Sequence, residues 1–188
     1  MTGPGTVPAV DRAALTTTMR HFVTGVAVLT CGDPAEAEGT TVSTLTAIPG
    51  EPPMVSVALR RDSRGLAALL AAETFVANGL AADHEWLAQH FARRSRPRGL
   101  AQLPPRAWAE PSPLGVPRLQ GAVSWLECRL ERTVTMGDHE LVMARVLSGS
   151  ANTAAPLVNF AGTLHAGPST APHTAQPVTP THPERTQR

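Results

Sequence analysis

Five hydroxyl side chains fall within seven consecutive positions: Thr40, Thr41, Ser43, Thr44 and Thr46. Hydroxyls and the backbone N–H groups between them donate and accept hydrogen bonds without carrying charge, so their chemistry is that of holding a ligand rather than attacking one. An edge strand of solvated threonines would carry the same residues. His139 follows Gly137 and Asp138 at a turn, where small neighbours leave its imidazole free. It either faces a bound ligand or bonds to the local backbone. Asp138 either orients that ring or only forms the turn. Ser63 and Arg64 precede Leu66, Leu69 and Leu70, which places them at a helix N-terminus whose unpaired N–H groups and dipole favour an anion. Ser63 also reads as an ordinary cap.

Other chemistries are missing from the sequence. There is no Ser-His-Asp order, no zinc motif and no carboxylate pair in an apolar setting. Cys31 and Cys128 stand alone, without a CxxC pair or a histidine at metal spacing, and read as small apolar packing residues. His165, His173 and His182 are too scattered for a metal site.

The elements that must position these residues follow from periodicity. Asp11 caps a predicted short helix with Leu15, Met19 and Phe22 on one face, ended by Gly25. Residues 26–31 and 54–59 form apolar, β-branched runs that predict buried strands, and residues 40–48 predict another, with residues 36–39 as a polar loop before it. A helix follows Ser63, a short strand spans residues 75–80, and Trp86, Leu87, His90 and Phe91 lie at helical spacing. Residues 104–117 form a Pro-rich surface excursion. Residues 122–130 and 140–147, joined through Gly137 and Asp138, predict an antiparallel hairpin.

Five or six strands with two or three short helices and no regular βαβ alternation argue for a mainly β protein built as an antiparallel barrel. No Gly-rich dinucleotide fingerprint follows any strand. The 188 residues suit one domain, expected over residues 11–165, with disordered segments at 1–10 and 166–188 because Gly, Pro, Thr and His there leave little to bury. The 16 Lys and Arg nearly cancel the 15 Asp and Glu, leaving +1 and no basic stripe for nucleic acid. Neither a signal sequence nor 18 consecutive apolar residues occur, so a cytoplasmic protein with no membrane contact is expected.

The order of these segments resembles the flavin reductase-like family with its FMN-binding split barrel. The resemblance runs from about Leu15 to Phe160 and is carried by Arg20-His21-Phe22-Val23-Thr24-Gly25, Gly39-Thr40-Thr41-Val42-Ser43-Thr44-Leu45-Thr46-Ala47, Pro52-Pro53 and Ser63. It continues through Phe75-Val76-Ala77-Asn78, Phe91-Ala92, Gly121-Ala122-Val123-Ser124-Trp125, Gly137-Asp138-His139 and Pro156-Leu157-Val158. The resemblance implies an antiparallel split β-barrel with two or three short helices. It implies an NAD(P)H:flavin oxidoreductase that supplies reduced FMN or FAD to a flavin-dependent monooxygenase, met by transient contact or diffusion, in a secondary-metabolite pathway. NADH or NADPH would be the co-substrate. A split-barrel flavin carrier or assembly partner without turnover is the alternative.

The resemblance also assigns roles. Thr41, Ser43, Thr44 and Thr46, with backbone N–H groups at Val42 and Ala47, would hold the ring edge, ribityl chain and phosphate. Ser63 and Arg64 would take the phosphate end, Asn78 would join the cofactor contacts, and Arg96 would clamp a phosphate. His139 would lie on the nicotinamide side. A homodimer is implied, with residues 86–91 and Trp125 as its anchors.

Overall fold

The computed structural model describes residues 11–170. The segments expected to be disordered therefore lie almost wholly outside the described residues, together with His173 and His182. Among the described residues no helix is long and apolar enough to cross a membrane.

The elements run in chain order as α1 (Arg12–Met19), β1 (Thr24–Gly25), β2 (Ala27–Cys31), β3 (Glu38–Val42), β4 (Thr46–Ile48), β5 (Met54–Arg60), α2 (Arg64–Ala72) and β6 (Thr74–Gly79). Then come α3 (Glu85–Ala92), β7 (Trp108–Ala109), β8 (Arg118–Leu119), β9 (Ser124–Met136), β10 (His139–Ala151), β11 (Leu157–Phe160) and β12 (Thr163–Ala166). Seven strands form one antiparallel sheet in the order β3-β2-β6-β9-β10-β5-β4.

Its two edge strands, β3 and β4, are neighbours in sequence, separated only by residues 43–45. Three linking residues reach at most about 14 Å, so the edges must lie close together and the sheet must curl into a barrel. The seam between them carries no ladder. It is bridged by Thr44, whose Oγ1 accepts from Ala58 N at 3.2 Å and donates to Ala58 O at 3.3 Å. The expected mainly β, antiparallel split barrel is the fold observed, with three short helices. The single strand expected over residues 40–48 is instead divided between the two edges.

The run in β2 is apolar because both of its faces are covered. Ala27, Leu29 and Cys31 join Val55, Val57, Leu59, Phe75 and Val142 inside the barrel, while Val28 packs outside with Leu87, Phe91, Leu119 and Leu157. α2, capped by Ser63 through Leu66 N, adds Leu66 and Leu69 to the interior cluster. Cys31 and Cys128 are buried free thiols. Burial, aided by Glu38 and Glu127 respectively, pushes both up to about 12, so they pack and do not react.

The β9–β10 hairpin forms as expected and is longer than its apolar pattern suggests. Gly137 alone of its two turn residues has positive φ, +63°, the arrangement of a type II′ turn. α1 is capped by Asp11 as predicted but ends at Met19, and it buries none of its residues. The Pro-rich segment is not a simple surface excursion. Ala107, Ser112 and Val116 are buried, and Glu127, itself buried, accepts from Ser112 Oγ and from Leu114 N at 2.9 Å. Ala166, placed in the expected tail, pairs with Leu157 in the β11–β12 hairpin.

Candidate functional site

A cleft of about 400 Å³ opens along the seam, a size suited to a small-molecule ligand. One wall is β3 and the crossing at Ser43 and Thr44; the opposite wall is the end of β5 with His139 at the start of β10. The start of α2 and the end of α3 close the remaining sides. Two glycines permit this close assembly. A Cβ on Gly39 would lie 2.4 Å from the Phe91 ring, and one on Gly65 would lie 2.6 Å from Thr40 Cβ, so the Phe91 ring of α3 packs directly onto the backbone of β3 and the Thr40 side chain directly onto the backbone of α2.

The seam supplies backbone donors. Gly39 turns both polar groups away from β2, since its N–H donates to Glu38 Oε1 and its carbonyl accepts from Arg96. By the two-residue period of a strand, Thr41 points its N–H the same way, into the seam. The hydroxyls are less available than their density suggests. Thr41 Oγ1 donates to Ala88 O of α3 at 2.7 Å, and Thr44 Oγ1 is spent on Ala58. Ser43, half-buried at the cleft, has a hydroxyl without a protein partner among the described residues.

Five arginines line the cleft, Arg60, Arg64, Arg93, Arg94 and Arg96, against one lining carboxylate, Asp62. Arg60 grips Asp62 with both ends of its guanidinium, at 2.9 and 3.0 Å, and this hydrogen bonding holds the Asp62 carboxyl below its ordinary range. Behind the wall, buried Glu38 accepts from Arg64 at 2.6 and 3.0 Å and also pairs with Arg96. Burial lowers the pKa of Arg96 despite that partner. The cleft therefore concentrates positive charge in a chain whose net charge is only +1.

His139 stands across the cleft from the seam, paired with Arg60 in the β5–β10 register. Its Nδ1 lies 2.8 Å from Asp138 Oδ1, a contact that holds the Asp138 carboxyl below its usual range and leaves Nε2 without a protein partner among the described residues.

The cleft thus brings together Thr41, Val42, Ser43, Thr44, Ser63, Arg64, Arg96 and His139. Three expected site residues lie elsewhere. Thr46 and Ala47 are exposed on β4, opposite Ser56 and Val55, and do not line the cleft. Asn78 is fully buried; its Nδ2 donates to Val28 O and Thr30 Oγ1, both at 3.0 Å, and its Oδ1 accepts from Leu119 N at 2.9 Å. It latches β8 to β2 and does not line the cleft. Arg96 lines the wall but turns its guanidinium inward to Glu38, Gly39 O and Arg93 O. Glu38 was missed because a glutamate in a short Ala-Glu-Gly loop reads as solvated. Its period-two relation to Thr40 and Val42 is the one hint that it belongs to a strand.

Residues 19–168 match the family described as flavin reductase like domain. An NADPH-flavin oxidoreductase of Streptomyces viridifaciens is 37% identical over 147 residues, covering 78% of this chain and 76% of that protein. The flavin reductase component of a bacterial two-component tryptophan halogenase superposes with a TM-score of 0.78 at 30% identity, over 85% of this chain and 100% of the other. An NADH:FAD oxidoreductase of Streptomyces globisporus, solved with NAD and FAD fragments, gives 0.75 at 29% identity, over 85% and 96%.

Proposed function

The chain belongs to the flavin reductase-like family, and from that premise we propose that it oxidises NADH or NADPH, reduces FMN or FAD, and releases the reduced flavin to a partner monooxygenase. The observation that carries this reading is the cleft itself: a neutral seam with the outward Thr41 N–H and the Ser43 hydroxyl, a cationic end at Arg64, and His139 on the facing wall. Those groups fit a flavin. The seam offers donors to ring and ribityl oxygens, and the first turn of α2 with Arg64 offers charge and N–H groups to a phosphate.

Flavin and nicotinamide supply the redox chemistry between them, and the protein must bring their reacting atoms to about 3–3.5 Å. Thr41 N–H and Ser43 hold the ring edge against the seam. Arg64 anchors the phosphate end. His139, fixed at Nδ1 by Asp138, offers Nε2 to the nicotinamide carboxamide and keeps water from that face. Titrating the purified protein with FMN and FAD while following NADH and NADPH loss in air tests the proposal. Rapid loss supports it and identifies both cofactors; flavin binding without nicotinamide oxidation supports the carrier reading instead. In a His139→Ala variant, turnover should fall about tenfold through misplaced nicotinamide while flavin affinity is retained. Unchanged turnover would make His139 only a turn residue.

The working protein is proposed to be a cytoplasmic homodimer that meets its monooxygenase by transient contact or diffusion. Of the anchors expected from sequence, Trp86 is exposed, while Leu87 and Phe91 are spent in the chain's own core and Trp125 lies under Arg118 at 4.4 Å. α1 and the residues after it offer a second apolar surface, exposing Leu15, Met19, Phe22 and Val23, with Phe160 close by through His21. Light scattering at micromolar concentration should give a dimer, and Phe22→Glu should shift it to monomer. A monomeric unchanged protein would refute the dimer.

A further inference from the structure

Glu38 lies behind the lining arginines with only 3% of its side chain exposed. Its Oε2 accepts from Arg64 Nε and Nη2 at 3.0 and 2.6 Å, and its Oε1 accepts from Gly39 N at 3.0 Å and from Arg96. Four donors satisfy the carboxylate and hold it in place. Of the two lining arginines it holds, Arg64 is the one open to the cleft, with 31% of its side chain exposed against 6% for Arg96. An anion that pairs with Arg64 meets a cation already neutralised from behind.

Two opposite effects could follow from this contact. Glu38 could hold Arg64 in place and so strengthen anion binding, or it could offset the charge of Arg64 and so weaken it. The hydrogen bonds decide between them. Arg64 Nη1 also donates to Arg94 O at 3.3 Å and to Arg96 O at 2.8 Å, so its guanidinium stays oriented without Glu38 and the charge effect dominates. We propose that Glu38 sets the cleft's affinity for phosphate-bearing ligands, keeping it low enough for reduced flavin to leave. The proposal rests on the reductase reading above, in which the flavin is a product to be released.

The test is the near-isosteric Glu38→Gln, with FMN and riboflavin as probes, since riboflavin has the same ring and ribityl chain without phosphate. Unit charges about 8 Å apart at an effective dielectric near 20 change an equilibrium about thirtyfold, so FMN should bind at least about tenfold more tightly while riboflavin stays within about twofold. Inorganic phosphate should raise the melting temperature of the variant more than that of the unchanged protein. FMN affinity that is unchanged or weaker would overturn the proposal. If Glu38→Gln does not fold, the double variant Glu38→Gln/Arg96→Met removes one charge of each sign. Its FMN-to-riboflavin affinity ratio should then stay within about threefold of the unchanged protein's, and a larger change would overturn the proposal. If the unchanged protein binds no flavin, the reductase reading fails, and the phosphate-induced shift still decides the role of Glu38.

Discussion

Gly39→Ala is expected to destabilise the protein by about 3 kcal/mol and to abolish flavin binding, because overpacking at a backbone-anchored contact leaves little room to relax. The new methyl would sit 2.4 Å from two carbons of the Phe91 ring, and Phe91 is only 2% exposed. Phe91 cannot swing away freely, since it packs with Val28, Leu87 and Leu157 and lies under the Arg96 guanidinium at 5.6 Å. α3 must shift as a unit, carrying with it the Thr41 bond to Ala88 and the arginines after Ala92. Thermal unfolding should show a fall of roughly 6–12 °C for a chain of this size, and flavin titration should show the lost site. A variant that melts and binds flavin like the unchanged protein would mean that α3 does not rest on β3 as described.

The second large effect is expected at Asn78 and should be confined to stability. Asn78→Ala would leave the Leu119 N–H without its acceptor and would remove one donor each from the Val28 carbonyl and from the Thr30 hydroxyl, which still donates to Pro117 O. A buried N–H left unpaired costs about 1–3 kcal/mol, and with the two lost side-chain hydrogen bonds the total should reach about 3 kcal/mol. Flavin affinity of the folded fraction should not change, since Asn78 is fully buried and does not line the cleft. Chemical denaturation and flavin titration of the same preparation separate the two quantities. Weakened flavin binding with unchanged stability would return Asn78 to the site.

Much of the fold was legible because its cues are local. The β9–β10 hairpin is written in period-two runs around Gly137 and Asp138, and β2 in an unbroken apolar run that only a strand covered on both faces can carry. Caps at Asp11 and Ser63 were readable for the same reason, as each bonds an N–H three residues on. The cysteines were legible as packing residues because nothing near them in sequence could activate a thiol.

The site was only partly legible. The hydroxyl-rich segment was visible as a ligand-holding feature, and Ser43, Thr44, Ser63, Arg64 and His139 do meet at one cleft. Composition could not show that residues 43–45 cross between sheet edges, leaving Thr46 and Ala47 on the far edge strand, because edge pairing is decided by which strands close the barrel. Nor could it show that Thr41 and Thr44 spend their hydroxyls on Ala88 and Ala58, 47 and 14 residues away.

The sequence by itself determined the elements, their order, the family resemblance and the chemical character of the seam, since each depends on residues within a few positions of one another. Tertiary structure alone decided that Asn78 is a latch, that Arg96 faces inward and that Glu38 is a buried counter-charge to arginines 26 and 58 residues away. The physical reason is that a side chain's role depends on whether it is buried and on what it meets there, and in an antiparallel barrel those neighbours come from distant parts of the chain.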